Sequence, residues 1–235
     1  MLVLSDIHLP YHDRTAVQTA LEYGRDHKAD LILLNGDIAD CFSISRWETD
    51  PRERDFAGEV QFVRDFLGLV RNLFPRARII YKLGNHEERW IRYMRLKAPE
   101  LLGLGELDFN TVFWLDRFKI ELVDTSAPIK VGELNFLHGH EYRFAISNPV
   151  NPARGLFLRA KTHTACGHFH QVSQHSGRSL DDKLTSCWST GCLCDLHPAY
   201  RPLNEWCHGF MFAEVDKAGA FDVQNRRVFG NKSYP

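Results

Sequence analysis

The stretch that decides the fold is Leu31-Ile32-Leu33-Leu34-Asn35-Gly36-Asp37, an apolar run that ends in a glycine and a carboxylate. A continuous run of branched apolar residues is typical of a strand that is buried on both faces. Shorter runs of the same kind lie at residues 2–4 and 79–81, and segments with helical patterns separate the three. The first half of the chain therefore predicts alternating strands and helices, with Asp37 at the end of a buried strand.

Apolar spacing and end signals predict three helices in this half. Residues 14–27 have a helical pattern, and Asp13 before them is a suitable N-cap. In residues 56–74, apolar side chains recur at steps of three and four, and Pro75 ends the pattern. A further helix is predicted at residues 87–96, directly after the strand at 79–81.

The second half of the chain is dominated by short strands. We predict them at residues 118–123, 129–137, 162–166, 185–189, 210–215 and 221–226, with a hairpin turn at 216–219. The sequence contains no internal repeat, low-complexity tract or linker. We therefore expect a single domain over residues 1–235, in which an α/β first half and a β-rich second half share one core.

Composition sets the broad class of the protein. Hydrophobic residues make up 44% and charged residues 25%, which is typical of a soluble globular domain. No apolar run approaches the roughly 20 residues that span a bilayer, and no signal peptide precedes the first strand, so we expect no membrane association and a cytoplasmic location. The net charge of -1 disfavours nucleic-acid binding through bulk charge but leaves room for a local basic patch.

The cysteines crowd into one part of the sequence. Four of the six lie between residues 187 and 207, without a Cys-x-x-Cys pair or a common zinc template. Reduced, partly buried thiols are favoured, while a zinc cluster or a disulfide is the alternative. The role of this cluster stays open; its members are Cys187, Cys192, Cys194 and Cys207.

Metal-type ligands follow five of the predicted strands. Because sheets of this kind place their sites beyond strand ends, we expect these segments to meet. In an extended strand Asp6 and His8 would point to the same face, as would His168 and His170. Each segment alone is more typical of a turn, but the set in this order favours a metal centre. The segments are Asp6-Ile7-His8, Gly36-Asp37, Gly84-Asn85-His86-Glu87, His138-Gly139-His140 and Gly167-His168-Phe169-His170.

The ligand types indicate which metals would bind. Carboxylates, imidazoles and one amide oxygen suit a pair of divalent first-row metals. Neutral imidazoles are common ligands of transition metals and uncommon ligands of calcium or magnesium. The expected cofactors are therefore two divalent transition metals, most of all Mn²⁺, with iron, zinc, nickel and cobalt as the alternatives.

As a set, these segments resemble the five motifs of the calcineurin-like metallophosphoesterase superfamily, with the match spanning residues 6–170. The resemblance implies a four-layer α/β/β/α sandwich and an enzyme with a two-metal site. It implies a first metal held by Asp6, His8 and His170, and a second held by Asn85, His138 and His168. Asp37 would bridge the two metals. His86 would be the catalytic imidazole, and Asp40 would orient it.

The resemblance also implies a mechanism for hydrolysing phosphate esters. A water between two cations loses its proton near neutral pH and attacks phosphorus as a metal-bridging hydroxide. The metals stabilise charge on the phosphoryl oxygens. A protonated His86 would donate its proton to the departing alkoxide, and Asp40 would keep the imidazole aligned and raise its pKa.

One departure from the family pattern bears on the substrate. Ser/Thr protein phosphatases of this superfamily carry Gly-Asp-x-x-Asp-Arg-Gly, whereas Cys41 and Phe42 stand here in place of the Arg-Gly. The loss of that arginine favours a phosphodiester of a nucleotide or nucleic acid. A phosphomonoesterase is the alternative, and a non-catalytic scaffold is a second one that would show eroded ligands.

Three arginines are candidates for substrate binding. Arg89 follows His86 by three residues on a predicted helix, Arg46 lies in a polar loop near the site, and Arg143 follows the predicted ligand His138. Guanidinium groups at these places would contact phosphate or a nucleic-acid backbone. The alternatives are a solvated basic helix face and an ordinary surface loop. No protein partner is identifiable from the sequence.

Overall fold

The computed structural model describes residues 1–47, 50–142 and 150–235. In this part of the chain, strands form two sheets. The seven-stranded sheet contains β1 (Leu2–Leu4), β2 (Leu31–Asn35), β3 (Arg78–Lys82), β4 (Ile120–Val123), β10 (Gly209–Val215), β11 (Phe221–Phe229) and β12 (Lys232–Tyr234). The five-stranded sheet contains β5 (Ile129–Val131), β6 (Leu134–Leu137), β7 (Thr164–Cys166), β8 (Ser173–Arg178) and β9 (Leu184–Ser189). The α-helices are α1 (Arg14–Asp26), α2 (Phe56–Leu73), α3 (Glu88–Lys97), α4 (Phe109–Val112) and α5 (Pro152–Ala160).

Three apolar interiors hold these elements in four layers. In β1, Leu2 and Leu4 pack with α1 and α2, whereas Val3 packs with residues of the second sheet such as Phe136. The alternation follows from strand geometry, because successive side chains point to opposite faces. On the far side of the second sheet, Leu156 of α5 packs against it. The predicted four-layer α/β/β/α sandwich is therefore confirmed, and the continuous apolar runs reflect strands covered on both faces.

Parallel strand order places the ends of five strands at one edge of the molecule. The first sheet runs β12-β11-β10-β1-β2-β3-β4, and β1 to β4 are mutually parallel. The second runs β5-β6-β7-β9-β8, with β6, β7 and β9 parallel. The predicted ligand segments follow β1, β2, β3, β6 and β7. Because carboxyl ends of parallel strands share an edge, this topology brings the five segments together.

Several predicted boundaries agree with the structure. Asp13 is the N-cap of α1, and its carboxylate accepts the Ala16 N–H at 2.8 Å. The α2 helix ends at Leu73, two residues before Pro75. No helix among the described residues has the length and apolar character that crossing a bilayer requires. All six cysteines are free thiols, and all but Cys207 are buried.

Other predictions of secondary structure were wrong or incomplete. The strand predicted at 129–137 is a hairpin, in which β5 and β6 pair antiparallel and Val131 lies opposite Leu134. Gly132 makes this tight reversal with φ of +59°, a conformation that glycine adopts without steric cost. The sequence analysis missed α5, and it missed β8, whose residues Ser173–Arg178 are mostly polar. Tertiary pairing with β9 holds this polar segment extended.

Candidate active site

The ligand-bearing loops turn sharply where their strands end. Five predicted ligands have left-handed backbone conformations, which are uncommon for residues other than glycine. The β1 strand ends at Leu4, so Asp6 and His8 do not alternate along an extended strand, and that part of the prediction was wrong. Backbone hydrogen bonds fix the turn, from Asp6 N–H to Gly36 O at 3.1 Å and from His8 N–H to Asp37 O at 2.9 Å. The five φ angles are 55° at Asp6, 52° at His8, 53° at Asp37, 67° at His168 and 59° at His170.

A first group of ligand atoms converges around His8. Its Nε2 lies 3.3 Å from His170 Nε2 and 3.9 Å from Asp37 Oδ2. His170 Nε2 in turn lies 3.3 Å from Asp6 Oδ1. All four side chains are buried. Two carboxylates and two imidazoles within these distances form a donor set that suits one divalent transition metal.

A second group forms on the other side of Asp37. His138 Nε2 lies 3.1 Å from Asp37 Oδ2, and the rings of His138 and His168 have their centroids 5.3 Å apart. Ligand atoms of Asp37, His138 and His168 all lie within 4.8 Å of one another. Asn85 lies next to this group, because the residue that follows it, His86, donates its backbone N–H to Asp37 Oδ1 at 2.9 Å. The structure thus brings six predicted ligands into two groups that share Asp37, with Asn85 beside the second.

One buried polar atom beside the second group, Asn85 Oδ1, has no hydrogen-bond partner in the described part of the chain. Leaving such an atom unsatisfied costs about 1–3 kcal/mol, so this oxygen is suited to a ligand. His138 Nε2 faces the same group, with Asp37 Oδ2 as its neighbour at 3.1 Å. An amide oxygen and an imidazole nitrogen both bind divalent metals, so the residues present fit a second cation as well as a first.

Close approach of backbones permits this convergence. Gly36, with φ of +86°, lies between β2 and Asp37, and a Cβ atom there would collide with the His138 ring and with the Gly84 backbone. The segments after β2, β3 and β6 therefore meet at a point where no side chain fits. A glycine is required here for packing as well as for its backbone conformation.

The charges in the two groups perturb one another strongly. Burial opposes ionisation of Asp6, yet His170 and His138 beside it lower its pKa to about 2. Burial likewise opposes protonation of His138 and His170, but Asp37 and Asp6 raise the pKa of His138 to about 10, and Cys192 and Asp6 raise that of His170 to about 10. A cation bound at these nitrogens replaces the protons that the carboxylates otherwise attract.

His86 lies beside the ligands and has two further partners. Its Nδ1 lies 3.0 Å from Asp40 Oδ1 and 2.9 Å from the Asp40 carbonyl oxygen. On the other side of the ring, Arg89 Nη2 lies 2.9 Å from His86 Nε2. Arg89 Nη1 donates to the Asp40 carbonyl at 2.9 Å. Burial lowers the pKa of His86, but the carboxylates of Asp37 and Asp40 outweigh that effect and raise it.

Comparison with known proteins places this arrangement in a family. Residues 1–190 match the family model described as calcineurin-like phosphoesterase. The chain belongs to the calcineurin-like phosphoesterase family. It is therefore a metal-dependent phosphoesterase, a hydrolase of phosphate esters that uses divalent metal ions, as the motifs at residues 6–170 predict. A non-catalytic scaffold would have lost residues at the predicted metal-ligand positions, whereas this sequence has a metal-binding residue type at each of those positions.

Among curated proteins, the Gene 54 protein of Mycobacterium phage L5 is 25% identical over 229 residues, which are 92% of this chain and 89% of that protein. Two solved structures are also similar. The phosphoesterase YfcE from E. coli has 12% identity and a TM-score of 0.41, over 89% of this chain and 85% of its own. Vps29 from Chaetomium thermophilum has 11% identity and a TM-score of 0.41, over 97% of each chain.

Glu87 organises the loop that carries Asp37. Its buried carboxylate accepts backbone N–H groups from Asp37 at 2.9 Å, Ile38 at 2.7 Å and Ala39 at 3.1 Å. It also accepts the Gly84 N–H and the Tyr81 hydroxyl, each at 2.8 Å. Five donors satisfy both oxygens, so this buried charge is stabilised by fixed dipoles. The sequence analysis noted Glu87 only as part of a motif, because three of these donors lie 48 to 50 residues away in the chain.

A half-buried carboxylate, that of Glu141, holds the loop that carries His138. The Glu141 carboxylate accepts the backbone N–H of His138 at 3.0 Å and of Gly139 at 2.6 Å. Lys82, at the end of β3, is fully buried and lies 3.1 Å from Glu141 Oε1. The Lys82 ammonium also donates to three backbone carbonyls, among them Ala127 O at 3.0 Å. The ion pair joins the two sheets of the phosphoesterase beside the second ligand group.

The substrate arginines predicted from sequence fall in different places. Arg89 lies at the site and contacts His86 and Asp40. Arg46 lines a cleft next to the site, with its guanidinium 4.7 Å from the centroid of the Trp47 ring. Arg143 lies outside the described residues.

An aromatic wall near His170 was not predicted. The Trp206 ring centroid lies 4.1 Å from that of His170, and Tyr200 lies 6.4 Å from Trp206. Their segment follows β9 and is remote from every motif, so no sequence signal identified it.

Proposed function

We propose that this phosphoesterase hydrolyses phosphodiesters of nucleotides or nucleic acids with two divalent transition metals bound. Asp6, His8 and His170 would hold one metal, and Asn85, His138 and His168 the other, with Asp37 between them. The pair of cations, when bound, stabilises charge on the phosphoryl group and lowers the pKa of water at the site. The protein's own residues align the substrate and donate a proton to the leaving group.

Manganese suits the donor set best. The two groups that share Asp37 consist of carboxylate oxygens, imidazole nitrogens and an amide oxygen, and the Cys194 sulfur lies within 4.8 Å of ligand atoms of His8 and His170. The Cys194 thiol lies 3.8 Å from His170 Nδ1, on the opposite side of the ring from the converging Nε2. A hydrogen bond with Cys192 and burial raise the pKa of Cys194, so it stays a neutral thiol. We expect two metals per chain by elemental analysis and anomalous scattering, and one metal at saturation would contradict this assignment.

His86 is the residue placed to protonate the leaving group. The Nδ1–H donates to Asp40, which orients the ring and leaves Nε2 facing Arg89. For proton donation, Nε2 must carry the proton and Arg89 must turn away from it. A substrate phosphate attracts the guanidinium and provides that displacement, since Arg–phosphate hydrogen bonds are charge-assisted. Arg89 would thus bind the phosphate at the moment when His86 becomes free to donate.

The observation that supports a diester preference is the environment of Cys41. Its side chain is buried, and burial together with Glu59 raises the pKa of its thiol well above the usual value. A neutral buried thiol therefore stands where protein phosphatases of this superfamily carry an arginine. A monoester has a doubly charged end that benefits from that cation, whereas a diester carries one negative charge and needs less.

The experiment compares bis-p-nitrophenyl phosphate with p-nitrophenyl phosphate in the presence of manganese. We expect the larger kcat/KM for the diester. Phosphomonoester hydrolysis is the second candidate, favoured by Arg89, whose guanidinium lies beside His86 and is able to hold a dianion. A clear preference for the monoester across several metals contradicts the diester proposal and leaves the family assignment in place.

A further inference from the structure

A cleft of about 1140 Å³ opens beside the candidate site. Asn85 and Arg89 lie at the end near the metal ligands, and the cleft continues along α3 to Lys97. The segment 43–47 forms part of another wall. A typical small-molecule pocket has a volume of about 300–1,000 Å³, so this cleft exceeds the room that one nucleotide needs. Its shape and position fit a ligand that extends away from the reacting phosphate.

The lining of the cleft is positively charged although the chain has a net charge of -1. Three acidic residues line it, and one of them, Glu87, is committed to backbone N–H groups. Arg92 and Arg95 are exposed, and no carboxylate of the described residues forms an ion pair with either. The six cations of the lining are Arg46, Arg54, Arg89, Arg92, Arg95 and Lys97.

The arginines of α3 are spaced for more than one phosphate. Arg89, Arg92 and Arg95 recur every three residues along the helix and all line the cleft. A helix rises about 1.5 Å per residue, so the row extends about 9 Å along the axis. A phosphate that engages Arg89 beside the metal groups leaves the two outer guanidiniums for neighbouring phosphates of a polyanion.

Aromatic side chains alternate with these cations. Trp47 is 64% exposed and Tyr93 39% exposed, and both line the cleft. Trp90 is fixed, since its ring stacks on Phe56 at 5.3 Å and its Nε1–H donates to Leu107 O at 2.9 Å. Exposed aromatic rings among guanidiniums are the combination that binds single-stranded nucleic acid, where unpaired bases stack and phosphates pair with cations. An acidic peptide carries carboxylates but lacks the regular series of planar bases that would stack on these rings.

We infer that the α3 cleft binds the single strand of nucleic acid that flanks the scissile phosphate. Arg92 and Arg95 bind its phosphates, and Tyr93 and Trp47 stack on its bases. The inference rests on the proposed phosphodiesterase function for the chemistry at the metal end. Binding along the cleft is nevertheless measurable without turnover.

The test measures binding of a fluorescent 12-nucleotide oligothymidylate by anisotropy. It is done in EDTA, which removes the metals that cutting requires, and again in manganese with the His86→Ala variant, in which cutting is slow. Arg92→Gln/Arg95→Gln raises Kd about tenfold or more. It also lowers the slope of log Kd against log salt by about 1.4, because each phosphate contact to a single strand contributes about 0.7. Tyr93→Ala raises Kd about tenfold and leaves the slope unchanged.

The matched control is Arg76→Gln/Arg159→Gln, which removes two exposed arginines outside the cleft. It changes Kd less than about twofold, as expected for surface positions without a phosphate partner. The inference is overturned if the cleft and control variants bind alike, if the salt slope of the cleft variant is unchanged, or if polyglutamate competes as well as unlabelled oligothymidylate.

The experiments distinguish a wrong assignment of the cleft from a wrong assignment of the phosphodiesterase function. The cleft variant, measured with His86 present, hydrolyses bis-p-nitrophenyl phosphate with an unchanged kcat/KM, because the small substrate does not reach Arg92 or Arg95. If the wild-type protein does not hydrolyse that diester but binds oligothymidylate as described, the proposed function is wrong and the cleft assignment stands. If it hydrolyses the diester and does not bind the strand, the cleft assignment is wrong.

Discussion

His8 and His86 are hydrogen-bonded to the same carboxylate oxygen. Asp40 Oδ1 lies 2.8 Å from His8 Nδ1 and 3.0 Å from His86 Nδ1. Both rings donate to this oxygen from Nδ1, which leaves Nε2 of His8 facing Asp37 and His170, and Nε2 of His86 facing Arg89. One carboxylate therefore sets the tautomer of a candidate metal ligand and that of the candidate general acid.

Asp40→Asn is expected to impair both functions. The amide removes the negative charge that aligns the two imidazoles, so metal affinity falls about 10–100-fold, the usual effect of losing an outer partner of a ligating histidine. Turnover at saturating metal falls as well, because His86 loses the negative charge that helps to raise its pKa. Metal affinity is measured by competition with a fluorescent chelator, and turnover with bis-p-nitrophenyl phosphate.

His86→Ala is the control that separates the two effects. It lowers turnover about 100-fold or more, the usual contribution of a general acid, while two metals remain bound because His86 is not a proposed ligand. If Asp40→Asn lowers turnover with unchanged metal affinity, the carboxylate acts on His86 alone. If His86→Ala loses a metal, its assignment as the general acid is wrong.

Metal affinity is expected to rise with pH. The pKa values of His138 and His170 are raised to about 10, so in the metal-free protein both imidazoles carry protons at neutral pH. The stability these protons contribute is complete below the unfolded pKa of about 6.5 and is lost as pH rises through 10. A metal must displace one proton at each site, so its apparent affinity increases up to about tenfold per pH unit between pH 7 and 9.

Chelator competition at pH 6.5, 7.5 and 8.5 measures this slope, and calorimetry in two buffers counts the protons released. His168→Ala provides a control, because burial and the nearby His138 lower the pKa of His168 to about 4, so it is already neutral. The variant binds metal more weakly with an unchanged pH slope. A metal affinity that does not change with pH in the wild-type protein would mean that the metal displaces no proton from His138 or His170.

Much of the site was predictable because its residues follow buried strands. The run at 31–34 predicted β2, and the glycine and carboxylate after it predicted Asp37 at the strand end. Such local patterns identify strand ends, and parallel topology then brings the ends together. The left-handed turns at Asp6 and His8 were not predictable, since few residues other than glycine adopt this conformation and it depends here on bonds to Gly36 and Asp37.

The supporting contacts depend on tertiary structure and leave no local signal. The second role of Asp40 requires His8 and His86, which lie 78 positions apart in sequence, to approach one oxygen. The Lys82–Glu141 pair likewise joins segments of different sheets. Charged residues are far more frequent on a surface than in an interior ion pair, so composition and periodicity favour a surface position for both residues.

Glu87→Gln is expected to unfold the Asp37 loop. One amide oxygen is able to replace one carboxylate oxygen, but the amide nitrogen then faces backbone N–H donors that no longer have an acceptor. Oε2 accepts from both Asp37 and Gly84, so the loss leaves two buried donors unsatisfied. We expect destabilisation by about 3 kcal/mol in urea unfolding of the metal-free protein.

Tyr81→Phe is the matched control, because it removes one of the five donors and leaves the carboxylate in place. Its expected cost is about 1 kcal/mol. A Glu87→Gln variant as stable as Tyr81→Phe would show that the loop does not depend on the second carboxylate oxygen. Metal content is measured on both variants, and we expect it to fall only in Glu87→Gln.

Glu59→Gln is expected to flatten the dependence of stability on pH. Burial and the nearby Asp40 raise the pKa of Glu59 to about 7, while its carboxylate accepts the Cys41 N–H. A carboxyl group whose pKa is raised on folding contributes stability below its unfolded pKa, about 4.3, and loses that contribution as pH rises through 7. The glutamine variant does not titrate, so its free energy of unfolding falls less between pH 5 and 8, by about 1–3 kcal/mol.

His138 and His170 titrate alike in both proteins, and the difference between the two curves therefore isolates Glu59. Urea unfolding of the metal-free proteins at several pH values measures it, with the exposed Glu100→Gln as control. Parallel curves for wild type and Glu59→Gln would show that Glu59 is ionised at pH 5 in the folded protein.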